Sequence, residues 1–305
     1  MPDLDRTLGC LLGLALGDAY GPPHEGGIAE RLLWRLIGRT RSGHRRWTDD
    51  TAMALAVAES LTAHGRVEQD DLSRRFAADY AWSRGYGAGT ARLLKAIRNG
   101  ADWREANRRV YPEGSFGNGA AMRTPVLALA FRGEALAAAS RDVAIVTHAH
   151  PLAIAGAGLI AMATEFAVAG EGGAAAMRQI AALVTEPAYA AKLETAAKWL
   201  ERGTRSGGVA TAPAEVRREL GAGIAAEASC VTAAFLAFLH DERPFGELLQ
   251  FVIRVGGDAD TVGAMAGAIW GARHGASALP QQLRERLEAE PRLVETATAL
   301  QARFS

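Results

Sequence analysis

Apolar residues recur at three- and four-residue spacing over most of the chain, which is the pattern of amphipathic α-helices. Strong helix formers, chiefly alanine, leucine, methionine and glutamate, fill the same stretches. Strict alternation of valine, isoleucine and threonine with polar residues, the pattern of half-buried strands, is absent from the sequence. Helices are predicted over 48–61, 67–82, 119–130, 151–169, 188–202, 228–239, 245–255 and 261–273. The sequence therefore predicts an all-α fold, and because no proline- or serine-rich linker divides it, 1–305 is expected to be one domain.

Glycine recurs at every fourth position in two of these apolar stretches. The first stripe is Gly9, Gly13, Gly17 and Gly21, and the second is Gly263, Gly267, Gly271 and Gly275. In a helix this spacing places all four glycines on one face, where the missing side chains allow another backbone to approach closely. Glycine inside a helix costs up to about 1 kcal/mol relative to alanine, so we favour a packing role over chance. The two helices are expected to pack tightly at the centre of the bundle.

Charge and composition exclude several classes of protein. The chain has 34 basic and 34 acidic residues, and this zero net charge argues against a protein that binds nucleic acid or anionic lipid. The longest stretch without a charged residue, 143–164, is too short after Pro151 to span a bilayer, so a buried core helix is expected there. Cys10 and Cys230 are expected to be buried free thiols. Because no signal peptide is recognised, we expect a cytoplasmic protein. We also expect it to be a monomer.

Two groups of carboxylates and hydroxyls open predicted helices. The groups are Thr48, Asp49 and Asp50, and Asp258, Asp260 and Thr261. Either group alone is explained by helix capping, because threonine and aspartate accept hydrogen bonds from the first N–H groups of a helix and suit its dipole. Brought together, the two groups would supply about six hard oxygen ligands, which suit Mg²⁺ or Mn²⁺. Glu25 follows the first glycine stripe and is a candidate outer ligand or general base, with a solvated loop glutamate as the alternative.

The stretch "GSFGNGAAMR", 114–123, is a glycine-rich turn running into a predicted helix. Glycines allow close backbone approach, and a helix N-terminus offers N–H groups to a phosphate. Phe116 could present its ring to a base, although the pattern is no standard nucleotide motif and also fits an ordinary loop. His148 and His150 have no accompanying zinc-ligand pattern, so a cap or a phosphate contact is expected of them instead.

In order along the chain, six motifs resemble the ADP-ribosylglycohydrolase family. The motifs are "GCLLGLALGDAYG", "WTDDTAMA", "RGYGAG", "GSFGNGAAMR", "LGAGIAAEAS" and "GGDADTVGAMAGAIWGA", together with "TH" at 147–148. The resemblance implies a compact multi-helix orthogonal bundle of the ADP-ribosylhydrolase type, two Mg²⁺ ions (with Mn²⁺ as the alternative), and hydrolysis at the ribose C1″ of ADP-ribose conjugates. The implied partner is thus an ADP-ribosylated protein or a small ADP-ribose conjugate, with no membrane and no sequence-specific nucleic acid.

The resemblance also implies a role for each motif residue. The implied metal ligands are Thr48, Asp49, Asp50, Asp258, Asp260 and Thr261. The implied catalytic residues are Glu25, Asp49 and Asp258, with either Glu25 or Asp49 as the general base. The implied substrate-binding residues are Gly114, Ser115, Phe116, Gly117, Asn118, Gly119, His148 and Ile224. The resemblance implies that the loop residues bind the diphosphate and that Phe116 and Ile224 lie near adenine or its ribose.

The sequence also allows other interpretations of its function. O-linked conjugates are the expected substrates, and ADP-ribosylarginine is the alternative within the family. A catalytically inactive ADP-ribose-binding or crystallin-like protein would have the same fold, but none of the implied metal ligands is missing here. A terpenoid synthase would need carboxylates one helical turn apart, and "TDDTAMAL" has none at that spacing.

Overall fold

A computed structural model describes residues 2–206 and 211–305 of the chain. Within those residues the backbone forms sixteen α-helices and no β-strand, which confirms the predicted all-α fold. The helices are α1 Leu4–Tyr20, α2 Ile28–Ile37, α3 Asp49–His64, α4 Gln69–Asp79, α5 Ala88–Arg98, α6 Trp103–Val110, α7 Gly133–Ile145, α8 Pro151–Val168, α9 Gly173–Leu183, α10 Pro187–Ser206, α11 Pro213–Glu219, α12 Cys230–Leu239, α13 Phe245–Val255, α14 Ala259–His274, α15 Gln281–Arg284 and α16 Glu290–Phe304.

One of the eight predicted helices is of the wrong type. Residues 119–130 form two short 3₁₀ helices, Ala121–Arg123 and Pro125–Leu129, instead of one α-helix. Pro125 explains the break, because proline has no backbone N–H to donate and its ring crowds the preceding turn. The long helix N-terminus expected after the glycine loop, residues 114–119, is therefore not there to bind a phosphate. The other seven predicted helices are present, with ends shifted by a few residues.

The two glycine stripes pack against each other, as predicted. A Cβ atom on Gly13 would lie only 2.2 Å from the carbonyl oxygen of Gly267, and one on Gly17 only 1.9 Å from that of Gly263. Because these distances are far below any real Cβ contact, no larger residue fits between the two backbones. The facing pairs are Gly9 with Gly271, Gly13 with Gly267, and Gly17 with Gly263. Helices α1 and α14 are therefore antiparallel and in backbone contact.

Antiparallel packing brings the end of α1 to the beginning of α14. A Cβ atom on Gly21, just after α1, would lie 2.2 Å from the Cα atom of Asp260 in the first turn of α14. The loop that follows α1 and carries Glu25 consequently starts beside the acidic end of α14. The glycine stripes therefore fix the position of the candidate site.

Helix α8 is an interior helix of the bundle, as predicted, and its one charged residue, Glu165, lies near its C-terminal end. It packs against α7, α12 and α14. The expectation that it is too short to span a bilayer was wrong: among the described residues it is the one helix long and apolar enough to cross a membrane, although 56% of it is buried inside the protein. The burial favours a core helix over a membrane span.

Candidate functional site

The first acidic group lies at the beginning of α3. Thr48 caps the helix: its Oγ1 accepts a hydrogen bond from the N–H of Asp50 at 3.3 Å and donates one to Oδ2 of Asp50 at 3.0 Å. Thr48 is therefore the N-cap of α3. The other oxygen of Asp50, Oδ1, is buried and has no hydrogen-bond partner in the described part of the chain. A buried carboxylate oxygen without a donor is available to a ligand.

Asp18 holds this end of α3 in place, and the sequence reasoning missed it. Its fully buried carboxylate accepts hydrogen bonds from the N–H of Thr48 at 2.9 Å and from the N–H and hydroxyl of Thr51 at 3.0 and 2.5 Å. Asp18 therefore satisfies N–H groups that every helix leaves open at its beginning. The available signal was a single charged residue within the otherwise apolar stretch 8–20.

The second acidic group follows a tight turn before α14. Gly256 and Gly257 both have positive φ angles, of 69° and 83°, and the N–H of Asp258 then donates to the carbonyl of Ala222 at 2.8 Å. Although Asp258 occupies the cap position of α14, its side chain makes no capping hydrogen bond. Its Oδ2 instead accepts a hydrogen bond of 2.5 Å from Nδ2 of Asn118. Capping therefore does not explain Asp258, whose carboxylate faces the glycine loop.

Glu25 reaches the same helix end from the loop after α1. Its carboxylate accepts a hydrogen bond from the N–H of Asp260, while Oδ1 of Asp260 accepts one of 2.7 Å from the N–H of Thr261. Ligand atoms of Glu25, Asp258 and Asp260 all lie within 4.8 Å of one another. Glu25 is thus half-buried among the other carboxylates rather than solvated on a loop.

Asp49 and Asp50 lie beside this group of three, although the structure does not bring them within the same 4.8 Å. We refer to Glu25, Asp49, Asp50, Asp258 and Asp260 together as the carboxylate centre. Burial raises the pKa of every member, and for most of them the charge of another member raises it further. For Asp260, burial and then the charge of Asp258 raise the pKa to about 7.

Buried carboxylates that repel one another need either protons or a cation. The carboxylate centre, with the adjacent hydroxyls of Thr48 and Thr261, consists of hard oxygen donors, which suit Mg²⁺ or Mn²⁺ rather than softer metals. Oδ1 of Asp50 accepts no hydrogen bond from the described residues, so it is free to ligate a cation. The residues present therefore fit a divalent cation.

The glycine loop lies beside the carboxylate centre, where Asn118 contacts Asp258, and it pairs with a second loop. The N–H of Asn118 donates to the carbonyl of Ile224 at 2.9 Å, and the N–H of Ala226 donates to the carbonyl of Phe116 at 3.0 Å. Ser115 is buried, with its Oγ 3.4 Å from the N–H of Gly117. The backbone N–H groups of Phe116 and Gly119 have no acceptor among the described residues. They are therefore available to an anionic ligand.

The two histidines have different positions relative to the loop. His148 is buried beneath it, with its ring against Gly117 and Gly119, and burial and then the charge of Arg123 lower its pKa to about 3. His150 caps α8 through Nδ1, which accepts the N–H of Leu152 at 3.1 Å. The cluster of potential metal ligands found in the described residues contains no histidine.

A cleft of about 850 Å³ lies over the carboxylate centre, with Glu25, Asp258 and Asp260 on its surface. Trp34 and Trp82 line it, together with Ile224, which is 73% exposed. Phe116, in the loop paired with Ile224, is 54% exposed and contacts His150 edge-on at 6.1 Å between ring centroids. Large apolar side chains exposed around a polar floor are typical of a small-molecule site.

Two further residues near the site were missed by the sequence reasoning. Arg123 is completely buried, and its guanidinium donates to the carbonyl of Gly119 at 2.6 Å. Tyr86, in the "RGYGAG" stretch, has a buried hydroxyl with no hydrogen-bond partner in the described residues. Burial raises the pKa of Tyr86, and the charge of Asp49 raises it further. The only signal for Arg123 was a single cation between 116 and 131.

The fold and the site together define an all-α enzyme with a carboxylate centre in a ligand-sized cleft. A family model described as ADP-ribosylglycohydrolase matches residues 1–305. The chain is 33% identical to ADP-ribosylhydrolase ARH3 of Danio rerio, with 91% of this chain and 85% of that one covered. It is 31% identical to ARH3 of Homo sapiens, with 93% and 90% covered. It is 30% identical to ADP-ribosyl-[dinitrogen reductase] glycohydrolase of Rhodospirillum rubrum, with 93% and 90% covered.

A solved structure titled "ADP-ribosylglycohydrolase-related protein complex" has the same fold. Its TM-score to this chain is 0.72 at 28% identity, with 99% of each chain covered. The chain belongs to the ADP-ribosylglycohydrolase family, and it is an enzyme that hydrolyses ADP-ribosyl conjugates.

Proposed function

We propose that the protein hydrolyses the glycosidic bond at the ribose C1″ of ADP-ribose conjugates in a reaction that depends on divalent metal. The observation that carries the proposal is the carboxylate centre on the floor of the cleft, where Glu25, Asp258 and Asp260 converge within 4.8 Å. Glycosidic hydrolysis commonly relies on carboxylates that act as acid and base around a developing positive charge on the sugar.

The ligands proposed for two Mg²⁺ ions, with Mn²⁺ as the alternative, are Thr48, Asp49, Asp50, Asp258, Asp260 and Thr261. Their hard oxygen atoms, the mutual repulsion of the carboxylates and the unpartnered Oδ1 of Asp50 all support this assignment. A bound divalent cation would supply Lewis acidity to the oxygen atoms that it contacts.

Within this proposal Glu25 and Asp49 are the candidates to accept the proton of the attacking water. Glu25 lies on the surface of the cleft. Asp49 lies beside the cleft, because its Oδ1 would be 3.5 Å from a Cβ atom on Gly85, which lines the cleft. Either carboxylate can therefore approach a water molecule over the ribose.

Asn118 connects substrate binding to the carboxylate centre. Its backbone belongs to the glycine loop, and its side chain donates to Asp258 at 2.5 Å and to Ser229 at 3.1 Å. With the diphosphate on the N–H groups of the loop, this hydrogen bond fixes the distance between the phosphates and the carboxylates. Fixed geometry of this kind is how positioning contributes to a rate.

The direct test is incubation of the protein with an ADP-ribosylserine peptide and Mg²⁺, with mass spectrometry of the products. We expect free ADP-ribose and the unmodified peptide. A catalytically inactive ADP-ribose-binding protein would instead bind ADP-ribose by calorimetry and release nothing from any conjugate.

Replacing Phe116 by alanine is expected to weaken ADP-ribose binding by about 1–3 kcal/mol, the range for a base stacked on an aromatic ring. That range corresponds to an increase in Kd of about 5- to 150-fold. Isothermal titration calorimetry measures it directly. Phe116→Tyr keeps the ring and should bind normally, as should Leu183→Ala, which truncates an exposed leucine on α9 that does not line the cleft. An unchanged Kd for Phe116→Ala would show that the ring does not contact the ligand.

Conjugates linked through oxygen, such as ADP-ribosylserine, O-acetyl-ADP-ribose and poly(ADP-ribose), are expected to be cleaved faster than ADP-ribosylarginine. A guanidinium leaving group is favoured by a carboxylate that pairs with it in a bidentate manner. Glu25, the obvious candidate for that pairing, already accepts the N–H of Asp260. We expect kcat/KM for a serine-linked peptide to exceed that for a matched arginine-linked peptide by about tenfold or more. Preference for the arginine peptide would instead support the alternative function, ADP-ribosylarginine hydrolysis.

A further inference from the structure

Three side chains behind the glycine loop form one hydrogen-bonded chain. Nη1 of Arg123 donates to the carbonyl of Gly119 at 2.6 Å. Nη2 of Arg123 donates to the carbonyl of Val143 at 2.9 Å and to Oγ1 of Thr147 at 2.8 Å. Oγ1 of Thr147 lies 2.7 Å from Nδ1 of His148. Arg123 and Thr147 are completely buried, so water does not compete for these hydrogen bonds.

The direction of each hydrogen bond follows from the chemistry of the groups. A guanidinium has donors only, so Oγ1 of Thr147 accepts from Arg123. The hydroxyl proton of Thr147 then has one acceptor among the described residues, which is Nδ1 of His148. Burial and the charge of Arg123 lower the pKa of His148 to about 3, so the ring is neutral at physiological pH. A neutral imidazole that accepts at Nδ1 carries its proton on Nε2.

The Nε2 atom lies directly beneath the glycine loop. A Cβ atom on Gly119 would be 2.9 Å from Nε2, and one on Gly117 would be 3.3 Å away. No acceptor for Nε2 is present in residues 2–206 and 211–305. The N–H group is therefore free to donate to a ligand that occupies the loop.

We propose that Arg123 and Thr147 are positioning residues that hold His148 as the Nε2–H tautomer, so that the glycine loop presents an uncharged donor to an oxygen of the substrate diphosphate. The inference rests on the proposed function for the identity of the ligand, but the tautomer itself is a property of the protein without ligand. The opposite tautomer would aim a lone pair at the phosphate oxygen and repel it.

Nuclear magnetic resonance of the full-length protein with ¹⁵N-labelled histidine tests the tautomer. Long-range ¹H–¹⁵N correlations distinguish a protonated from an unprotonated ring nitrogen, and the spectrum of a His148→Gln variant identifies the signals of His148. We expect a protonated Nε2 and an unprotonated Nδ1. A protonated Nδ1 in the wild-type protein would overturn the inference, whatever the protein hydrolyses.

Two substitutions of Thr147 separate positioning from simple structural support. Thr147→Val keeps the shape and removes the hydroxyl, and it is expected to mix the two tautomers and raise the Kd for ADP-ribose about tenfold, the value of one good hydrogen bond. Thr147→Ser keeps the hydroxyl and should restore both the tautomer and the affinity. Thr298→Val is the matched control, because it removes an exposed helix hydroxyl on α16 that donates to Val294.

The outcomes distinguish this inference from the proposed function. Thr147→Val with an unchanged tautomer and an unchanged Kd would overturn the inference while hydrolysis by the wild type stands. Failure of the wild-type protein to bind ADP-ribose would overturn the proposed ligand, and the tautomer in the ligand-free protein would still decide the role of Arg123 and Thr147.

Discussion

Replacing Asp260 by asparagine is expected to lower the rate of hydrolysis by at least about 100-fold. Even residues that only hydrogen-bond to metal ligands change metal affinity or activity by about 10- to 100-fold when they are replaced. Asp260 is the member of the carboxylate centre that contacts both Glu25 and Thr261. The substitution removes a charged oxygen donor and keeps the volume of the side chain. The measurement is release of ADP-ribose at saturating Mg²⁺. Asp258→Asn is expected to have an effect of the same order.

The fold of the Asp260→Asn variant is expected to remain intact. In the folded chain the pKa of Asp260 is raised to about 7, well above that of an unfolded aspartate. The stability that its neutral form contributes is complete below about pH 4 and is lost as the pH rises through about 7. Asparagine stays neutral, so without divalent cations at about pH 8 the variant should unfold at the same or a higher temperature than the wild type.

Full activity of the wild type in excess chelator would contradict the metal assignment.

Replacing Gly13 by alanine is expected to destabilise the protein by about 3 kcal/mol or more, the upper range for overpacking a core. Helix propensity predicts the opposite sign, because alanine is favoured over glycine by about 1 kcal/mol inside a helix. The close approach of α1 and α14 decides the outcome, since the new Cβ atom would lie 2.2 Å from a backbone carbonyl that cannot move independently. Urea denaturation gives the change in the free energy of unfolding.

Gly158→Ala is the matched control for Gly13→Ala. Gly158 is also inside a helix, α8, but a Cβ atom there would have nothing within 4 Å. The control should therefore stabilise the protein by about 0.5–1 kcal/mol. A Gly13→Ala variant as stable as Gly158→Ala would mean that the two helices are not in backbone contact.

The chemically important ends of α3 and α14 could be identified from the sequence because they combine two local signals. Thr48 with Asp49, and Asp258 with Asp260, are oxygen donors next to the start of a strongly helical stretch. Those local signals did not distinguish capping from ligand binding. Thr48 does cap its own helix through a local hydrogen bond, whereas Asp258 binds Asn118, which is distant along the chain, and only the tertiary structure shows that contact.

Asp18 and Arg123 could not be assigned roles from their sequence surroundings. Each is a single charged residue in an apolar stretch, and most of its hydrogen-bond partners are 20 or more residues away along the chain. Asp18 binds the beginning of α3, and Arg123 binds Thr147 behind the glycine loop. A buried charge is stable only when several groups converge on it, and convergence from separate segments is a property of the tertiary structure.

The helical fold class was determined by the sequence alone, because the spacing of apolar residues and the choice of helix formers act within a few residues of each other. The break at Pro125 was equally local and could have been predicted. The sequence also determined that two helices carry faces of glycine. Only the tertiary structure decided that they run antiparallel, with Gly13 against Gly267, and so bring Glu25 to Asp260. A glycine face permits close approach to any backbone, and its partner and direction are selected by the packing of the whole bundle.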